Sequence, residues 1–218
     1  MLLKGDDVRI YGRVSFGERV IIEDNVVLGH PSAEELRMAL ENMESFASLE
    51  DLYNSAGRHI TKIGYHAMIR SGTVIYSGTS IGDDFDCGHN VLIRENVTIG
   101  NKVYIKPFTE VMKNVRIGNN CRLAGTISDN TIIGDNVSSF GILTHRYERQ
   151  YTPDMSLRAG PIIEDGCIIG RGAVIIGGCV VHAGAIIGAN TFVNFDVPEK
   201  ARVVGLKGRI LEVPDPDP

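Results

Sequence analysis

Aliphatic residues recur at every sixth position along most of the chain. A small or β-branched residue follows most of them four places later, as Ala67 follows Ile63 and Val91 follows Cys87. Ile-Gly pairs return at an interval of 18 residues, so three six-residue units make one larger repeat. The leading positions of the central run are Ile63, Ile69, Ile75, Ile81, Cys87, Ile93, Ile99, Ile105, Val111 and Ile117.

A period of six fits neither an α-helix nor an uninterrupted strand, because their side chains repeat every 3.6 and every two residues. Short strands separated by regular corners explain both the period and the Gly- and Asn-rich positions between the aliphatic residues. A triangular solenoid, with three short parallel strands per coil and coils stacked ~4.8 Å apart, satisfies both observations. The pattern therefore predicts an all-β solenoid of the left-handed parallel β-helix type.

The repeat divides the chain into segments. We predict an N-terminal β-helix coil at residues 1–30, a central β-helix at 58–139, and C-terminal coils with an end segment at 161–210. The final residues, 211–218, are rich in Pro and Asp and are predicted to be a disordered tail.

Two segments interrupt the period. Residues 31–57 predict a helical insertion, with Ser32 and Glu35 as a capping box at its start. Apolar residues at helical spacing predict the packing face of this helix, against the solenoid or a neighbouring subunit: Leu36, Leu40 and Met43. Residues 140–160 are polar and predict an extended loop, a place where binding residues are often carried.

Composition narrows the partners. The chain has 218 residues, 43% of them apolar, and a net charge of -5, so it lacks the basic footprint of a nucleic-acid-binding protein. The N-terminus is charged at its fourth residue, and no apolar run has the length of a membrane span. We therefore predict a cytoplasmic protein with no nucleic-acid or membrane partner.

The four cysteines, Cys87, Cys121, Cys167 and Cys179, form no CxxC pair and show no metal-finger spacing. Most of them occupy inward positions of the repeat, where a free thiol behaves as a small apolar side chain. We predict buried thiols and no metal site.

The hexads resemble those of the hexapeptide-repeat acyltransferases, whose pattern is aliphatic, Gly or acidic, two variable residues, small, variable. The resemblance covers most of the chain. It implies a CoA-dependent acyltransferase that moves an acetyl group from acetyl-CoA to an amine or hydroxyl of a sugar or nucleotide-linked sugar. It also implies a homotrimer with active sites between subunits.

His145 is one candidate for the general base. Thr144-His145, followed by Pro161-Ile162, is similar to the loop of the sugar and small-molecule O-acetyltransferases in this family. By that resemblance His145 takes a proton from the acceptor, and Arg146 and Tyr147 beside it bind the acceptor. The alternative is an exposed loop histidine without a catalytic role.

His89 is the second candidate for the base, or for a residue that orients the acceptor. It is the third residue of its hexad, so it belongs to a corner and points outward, with Asn90 beside it as a second acceptor-binding candidate. The Gly-His-Asn-Val segment resembles corner segments that face the acceptor pocket in the family. The alternative is a corner histidine that forms only local hydrogen bonds.

The donor site is predicted from the C-terminal part. The segment VPEKARVVGLKGRIL resembles the terminal coil of the family. Cations suited to the phosphates of coenzyme A are Lys200, Arg202, Lys207 and Arg209. Glycines that allow the pantetheine arm to approach the backbone are Gly170, Gly177 and Gly188.

Two other functions occur on such a solenoid. A zinc carbonic anhydrase of the γ type needs three histidines around one metal, and the six histidines of this chain show no closely spaced outward pair. A non-catalytic assembly scaffold is the third reading. Binding of acetyl-CoA would indicate the acyltransferase and bound zinc the carbonic anhydrase, whereas a scaffold would show neither.

Overall fold

A computed structural model describes residues 1–42, 45–146 and 159–205. The chain winds into a parallel β-solenoid whose three sheets contain ten, nine and eight strands. We call these sheets A, B and C. Each coil begins with its strand in sheet A and continues through B and C, and coils are numbered from the N-terminus. The predicted left-handed parallel β-helix is confirmed.

Most strands are only two or three residues long. Sheet A contains Leu2–Lys4, Val20–Ile22, Met68–Ile69, Asp86–Cys87, Tyr104–Ile105, Arg122–Leu123, Ser138–Ser139, Ile168–Ile169, Ile186–Ile187 and Arg202–Val203. Sheet B contains Arg9–Ile10, Val27–His30, Val74–Tyr76, Leu92–Ile93, Glu110–Val111, Thr126–Ile127, Ile142–Thr144, Val174–Ile176 and Phe192–Val193. Sheet C contains Val14–Phe16, Thr61–Ile63, Ser80–Ile81, Thr98–Ile99, Arg116–Ile117, Ile132–Ile133, Ile162–Ile163 and Val180–Val181. The corners between them stack into three edges, which we call A–B, B–C and C–A.

The leading aliphatic residues fill the interior, as the period predicts. Phe85 is the large exception at a position that is otherwise small, and it is 0% exposed. The next leading position holds the short side chain of Cys87, and Ala67 lies in the coil below. These two small side chains compensate for the large volume of the Phe85 ring. The interior is therefore close-packed in spite of the irregular hexad.

The corners need a left-handed backbone at the fourth residue of the hexad. Asn90, with φ of 56°, and Asn96, with φ of 58°, are typical of these positions, and several others are glycine. Asparagine tolerates this conformation because its side chain bonds locally. Phe108 also adopts it, with φ of 59°, although its ring is 74% exposed. It is the one apolar residue other than glycine at positive φ in the described ranges.

Two corners of the A–B edge are shorter than the rest. Leu123 and Ile127 pair with Ser139 and Leu143, so the coil between them has 16 residues in place of 18. Gly125 and Gly141 stack in these corners, and a Cβ on Gly125 would meet the Gly141 carbonyl oxygen. Because of the shortening, the strand Ile142–Thr144 continues sheet B into the segment predicted as loop from residue 140.

The helices Ala33–Asn42 and Leu49–Ala56 lie within the segment predicted as a helical insertion and leave the solenoid at the B–C edge. The predicted capping box is confirmed: the Ser32 amide donates to Glu35 Oε2 at 2.8 Å, and the Glu35 amide donates to Ser32 Oγ at 3.2 Å. Ser77 Oγ donates to Glu35 Oε1 at 2.6 Å, which ties the first helix to the solenoid.

The packing face of the first helix differs from the predicted one. Glu35 and Ala39 are its buried residues, whereas Leu40 is 57% exposed. The hydrogen bonds that Glu35 makes with Ser32 and Ser77 turn its side of the helix inward, so apolar spacing alone identified the wrong face in the single chain. Met43 lies outside the described residues.

We expect the substitution Phe108→Asn to increase the free energy of unfolding by about 1 kcal/mol, because asparagine tolerates the left-handed conformation better than a bulky side chain does. The measurement is urea unfolding at a fixed protein concentration. The matched control is Asn96→Phe, which places the ring in the same conformation at another corner and should destabilise by a similar amount. A loss of stability in Phe108→Asn would mean that the ring contributes packing that outweighs the backbone strain.

Candidate functional site

A cavity of about 290 Å³ opens where sheet A meets the A–B edge in coils 3 to 5. It is lined by Arg70, Asp86, Cys87, Gly88, His89, Tyr104 and Pro107. His89 thus lies at a concave surface that combines ionisable side chains with the aromatic ring of Tyr104.

The corner that carries His89 is held by the coils on both sides. The Asn90 amide donates to the Ser71 carbonyl at 3.0 Å, and the Phe108 amide donates to the His89 carbonyl at 3.1 Å. A Cβ on Gly88 would lie 2.3 Å from the Pro107 ring, so only glycine fits beneath that proline. The backbone is therefore fixed, while the His89 side chain is 53% exposed and points outward as predicted.

Glu23 is the carboxylate nearest to His89. Its Oε2 lies 3.7 Å from His89 Nδ1 and accepts hydrogen bonds of 3.1 Å from both the amide and the hydroxyl of Ser71. Arg70 Nη1 donates to Glu23 Oε1 at 2.9 Å. Burial raises the pKa of the Glu23 carboxyl. The hydrogen bonds from Ser71 and Arg70 and the charge of Arg70 lower it by a larger amount, so the net pKa is below its ordinary value. The group is an anchored anion beside the imidazole.

Asp86 forms the floor of the cavity. Burial raises the pKa of its carboxyl; the positive charge of Arg70 opposes this, and the negative charge of Glu23 adds to it, so the net pKa is raised. Arg70 Nε lies 3.8 Å from Asp86 Oδ1, which is buried and has no hydrogen-bond partner in the described part of the chain. Arg70 therefore stands between two carboxylates and holds Glu23 more closely than Asp86.

The structure places the two candidate bases at different edges. His145 and Arg146 follow the sheet B strand of coil 7 at the B–C edge, while His89 and Asn90 lie at the A–B edge in coil 4. Three coils correspond to about 14 Å along the axis, and the two histidines are also at opposite ends of sheet B. They do not share a site within one chain. Tyr147 lies outside the described residues.

The predicted donor glycines also divide between edges. Gly170 and Gly188 are neighbours in coils 8 and 9 on the A–B edge, in the same column as Gly88. Gly177 lies at the B–C edge, where it is buried and a Cβ would come within 2.8 Å of the His145 Cα. The lack of a side chain at Gly177 is explained by this close packing.

The predicted donor cations are dispersed. Lys200 lies at the C–A edge and is paired with Glu199 at 2.6 Å. Arg202 belongs to the last strand of sheet A and is exposed. Lys207 and Arg209 lie outside the described residues.

Sequence reasoning missed Glu23 and Arg70. Each follows an inward isoleucine of sheet A, Ile22 and Ile69, so the two occupy one column of the solenoid. The helical insertion separates them by 47 residues and hides the 18-residue interval that would have aligned them. The contact could have been predicted by assigning each residue its place in the hexad on both sides of the insertion, because Glu23 and Arg70 both follow a leading isoleucine.

The histidines on the C–A edge each meet one carboxylate. His66 Nδ1 lies 3.2 Å from Asp84 Oδ1, and His182 Nδ1 lies 3.2 Å from Glu164 Oε1. In residues 1–42, 45–146 and 159–205, no three His, Cys, Asp or Glu side chains are grouped so as to hold a metal ion. In the same ranges, neither helix is long and apolar enough to cross a bilayer.

We expect Glu23→Gln to lower the free energy of unfolding at pH 7 by about 1–2 kcal/mol, because its charge-assisted hydrogen bonds with Arg70 and Ser71 are weakened. The pKa of Glu23 is lowered in the folded state, so this stabilisation is complete above the unfolded-state pKa and is lost as the pH falls through the folded-state pKa. Urea unfolding between pH 7 and about pH 2 should show the two proteins converging in acid. The exposed Glu18→Gln is the control, and a difference that persists in acid would contradict the assignment.

Comparison with known proteins agrees with the repeat. The model of the family described as "Bacterial transferase hexapeptide (six repeats)" matches residues 96–125. The bifunctional protein GlmU of Geobacillus sp. (strain WCH70) is 27% identical over 228 residues, covering 90% of this chain and 49% of that protein. The chain thus spans about half the length of this curated relative.

Two solved structures share the fold. The UDP-N-acetylglucosamine acyltransferase of Arabidopsis is 17% identical, with a TM-score of 0.61, and the match covers 94% of this chain and 67% of that one. The UDP-N-acetylglucosamine O-acyltransferase of Moraxella catarrhalis RH4 is 16% identical, with a TM-score of 0.52, covering 91% and 69%. Repeat, family match and fold together show a left-handed β-helix built from hexapeptide repeats, similar to those of the hexapeptide-repeat acyltransferases.

Proposed function

We propose that the protein is a CoA-dependent acyltransferase, which moves an acetyl group from acetyl-CoA to an amine or hydroxyl of a sugar or nucleotide-linked sugar. The observation that carries this proposal is an outward imidazole, His89, beside an anchored carboxylate, Glu23, at a cavity on a hexapeptide solenoid. The similarity to two proteins named as UDP-N-acetylglucosamine acyltransferases supports the class of acceptor.

In the proposed reaction, His89 is the general base. Its imidazole accepts the proton of the acceptor hydroxyl or amine while the acceptor oxygen or nitrogen bonds to the thioester carbonyl carbon. The carbon–sulfur bond then breaks, and the imidazolium returns the proton to the departing CoA thiolate. Glu23 stabilises the imidazolium by its charge, at 3.7 Å, while Arg70 and Ser71 keep that carboxylate in place.

Direct attack by the acceptor agrees with the chemistry of the nearest thiol. Cys87 adjoins the cavity, but its side chain points into the core and is 0% exposed. Burial raises the pKa of this thiol to about 11. A neutral, enclosed thiol is a poor nucleophile, so an acyl-enzyme on Cys87 is not part of the proposal.

The A–B edge supports a path for the donor. Gly170 and Gly188 lie four and five coils above His89, or about 19 and 24 Å along the axis. An added Cβ on Gly188 would have its nearest neighbour 3.3 Å away, so this glycine leaves room for a pantetheine arm, whereas a Cβ on Gly170 would lie 2.5 Å from the Ala189 amide nitrogen. Arg202 lies one coil further as a cation for a phosphate. We therefore propose that Gly188 and Arg202 belong to the donor site, with the close-packed backbone of Gly170 beside them on the same edge. Gly177 and Lys200, at other edges, do not extend this path within one chain.

We propose a cytoplasmic homotrimer as the working assembly. The cavity at His89 is open on one side in a single chain, so a neighbouring copy would complete it. His145, with Arg146, is retained as an alternative base, because it lies at the start of a segment predicted to carry acceptor contacts. A zinc enzyme or a scaffold would instead show stoichiometric zinc, or no binding of acetyl-CoA.

We expect His89→Gln to lower the rate of acetyl transfer by about 10²–10⁴-fold, since the general base is removed. His145→Gln should lower the rate of acetyl transfer less than about 10-fold, because a residue that does not accept the proton of the acceptor makes no general-base contribution to the rate. The measurement is release of the CoA thiol from acetyl-CoA with UDP-linked sugars and amino sugars as acceptors.

The matched control is His66→Gln, since His66 is also a corner histidine beside a carboxylate but lies at the C–A edge. Acetyl-CoA binding by calorimetry should be retained in all three variants. Full activity in His89→Gln, together with loss of activity in His145→Gln, would transfer the role of base to His145.

A further inference from the structure

Charge is unevenly distributed around the solenoid. From coil 5 to coil 10, sheet A and the A–B edge comprise residues 104–109, 122–125, 138–141, 168–173, 186–191 and 202–205. These residues include four cations, Lys106, Arg122, Arg171 and Arg202, and no Asp or Glu. The chain as a whole carries a net charge of -5, so this surface is set apart as its cationic face.

Two of the cations are neighbours close to the His89 cavity. The pairing of Tyr104 with Arg122, and of Ile105 with Leu123, places Lys106 directly after one strand of sheet A and Arg122 on the next strand of that sheet. Both side chains point outward, because they flank inward residues. Their Cα atoms are diagonal neighbours, at about 7–8 Å. The two long side chains can therefore both reach one phosphate or diphosphate group when they turn away from the rings that they contact, Phe140 in coil 7 and Tyr104 in coil 5.

Neither cation has an acidic partner in the described ranges. Each lies against an aromatic ring instead: Lys106 Nζ is 5.1 Å from the centre of Phe140, and Arg122 Cζ is 5.7 Å from the centre of Tyr104. A ring face contributes only about 0.5–1 kcal/mol at an exposed site and accepts no conventional hydrogen bond from these donors. Their donors therefore remain available to an anion.

The nearest acid on this face does not cancel the two charges. Asp86 lies one coil below Tyr104, and its carboxylate is within 3.8 Å of the Arg70 guanidinium. Coils 5 to 7 place small or uncharged side chains around the pair: Ala124, Ser138, Phe140 and Tyr104. An anion at this place meets two cations, and the charge of Asp86 below them is partly compensated by Arg70.

We propose that Lys106 and Arg122 form a phosphate-binding subsite on sheet A, directly above the His89 cavity. The identity of the ligand rests on the proposed function, whereas the anion preference of the subsite does not. Two ligands of that reaction carry the same chemistry: the diphosphate of a nucleotide-linked acceptor and the phosphates of coenzyme A. A phosphate held here fixes the ligand so that its reacting group lies at His89.

The first test is calorimetric titration of the full chain with inorganic pyrophosphate at low salt. We expect saturable binding that weakens as salt is added, and a loss of at least about 10-fold in affinity in the double variant Lys106→Met, Arg122→Gln. The control is Lys62→Met, Arg116→Gln, which removes two exposed cations from sheet C and changes the net charge equally. The control should bind pyrophosphate as the wild type does.

Titrations with UDP and with coenzyme A then distinguish the two sources. A loss of affinity for UDP in the double variant assigns the subsite to the acceptor, and a loss for coenzyme A assigns it to the donor. Absence of saturable pyrophosphate binding, or equal affinity in the double variant and its control, would overturn the proposal. Pyrophosphate binding needs no turnover, so a protein that binds it but transfers no acetyl group would contradict the proposed function alone.

Discussion

The parallel backbone ladder between successive coils is the interaction on which the rest of the structure depends. Each described strand is only two to four residues long. Its partner in the next coil is 18 residues away in the regular coils, 16 in the shortened ones and 30 to 47 across the two insertions. No coil buries its own aliphatic residues without the next one, so stability arises at the interfaces between coils. The ladder also fixes the position of every outward side chain relative to those above and below it.

Insertions are accommodated because they leave this ladder untouched. The helical segment and the segment after His145 both depart from the B–C edge, between a strand of sheet B and a strand of sheet C. Coil 3 resumes the register of coil 2 after the insertion, with Ile69 beside Ile22. That continuity brings Glu23 into contact with Arg70 and Ser71, although they are far apart in sequence.

The interior was predictable from the sequence because one aliphatic residue every six positions leaves few alternative folds. The outward direction of His89 followed from the same count. The partners of His89 did not, because the insertion between Glu23 and Arg70 removed the periodic signal. The face of the first helix that packs on the solenoid was not predicted, because Glu35, a charged residue, forms inward hydrogen bonds that apolar spacing does not register.

Both insertions lie at the B–C edge, so the corners of the A–B edge stack from coil to coil without an inserted segment. Successive coils are about 4.8 Å apart along this edge, and His89, Gly170 and Gly188 lie in coils 4, 8 and 9. The axial distance between two backbone positions in one column of this edge is therefore a whole multiple of the coil spacing. Deleting or adding one repeat between His89 and Gly170 would change the length of ligand that fits by one such interval, while the cross-section of the solenoid stayed the same.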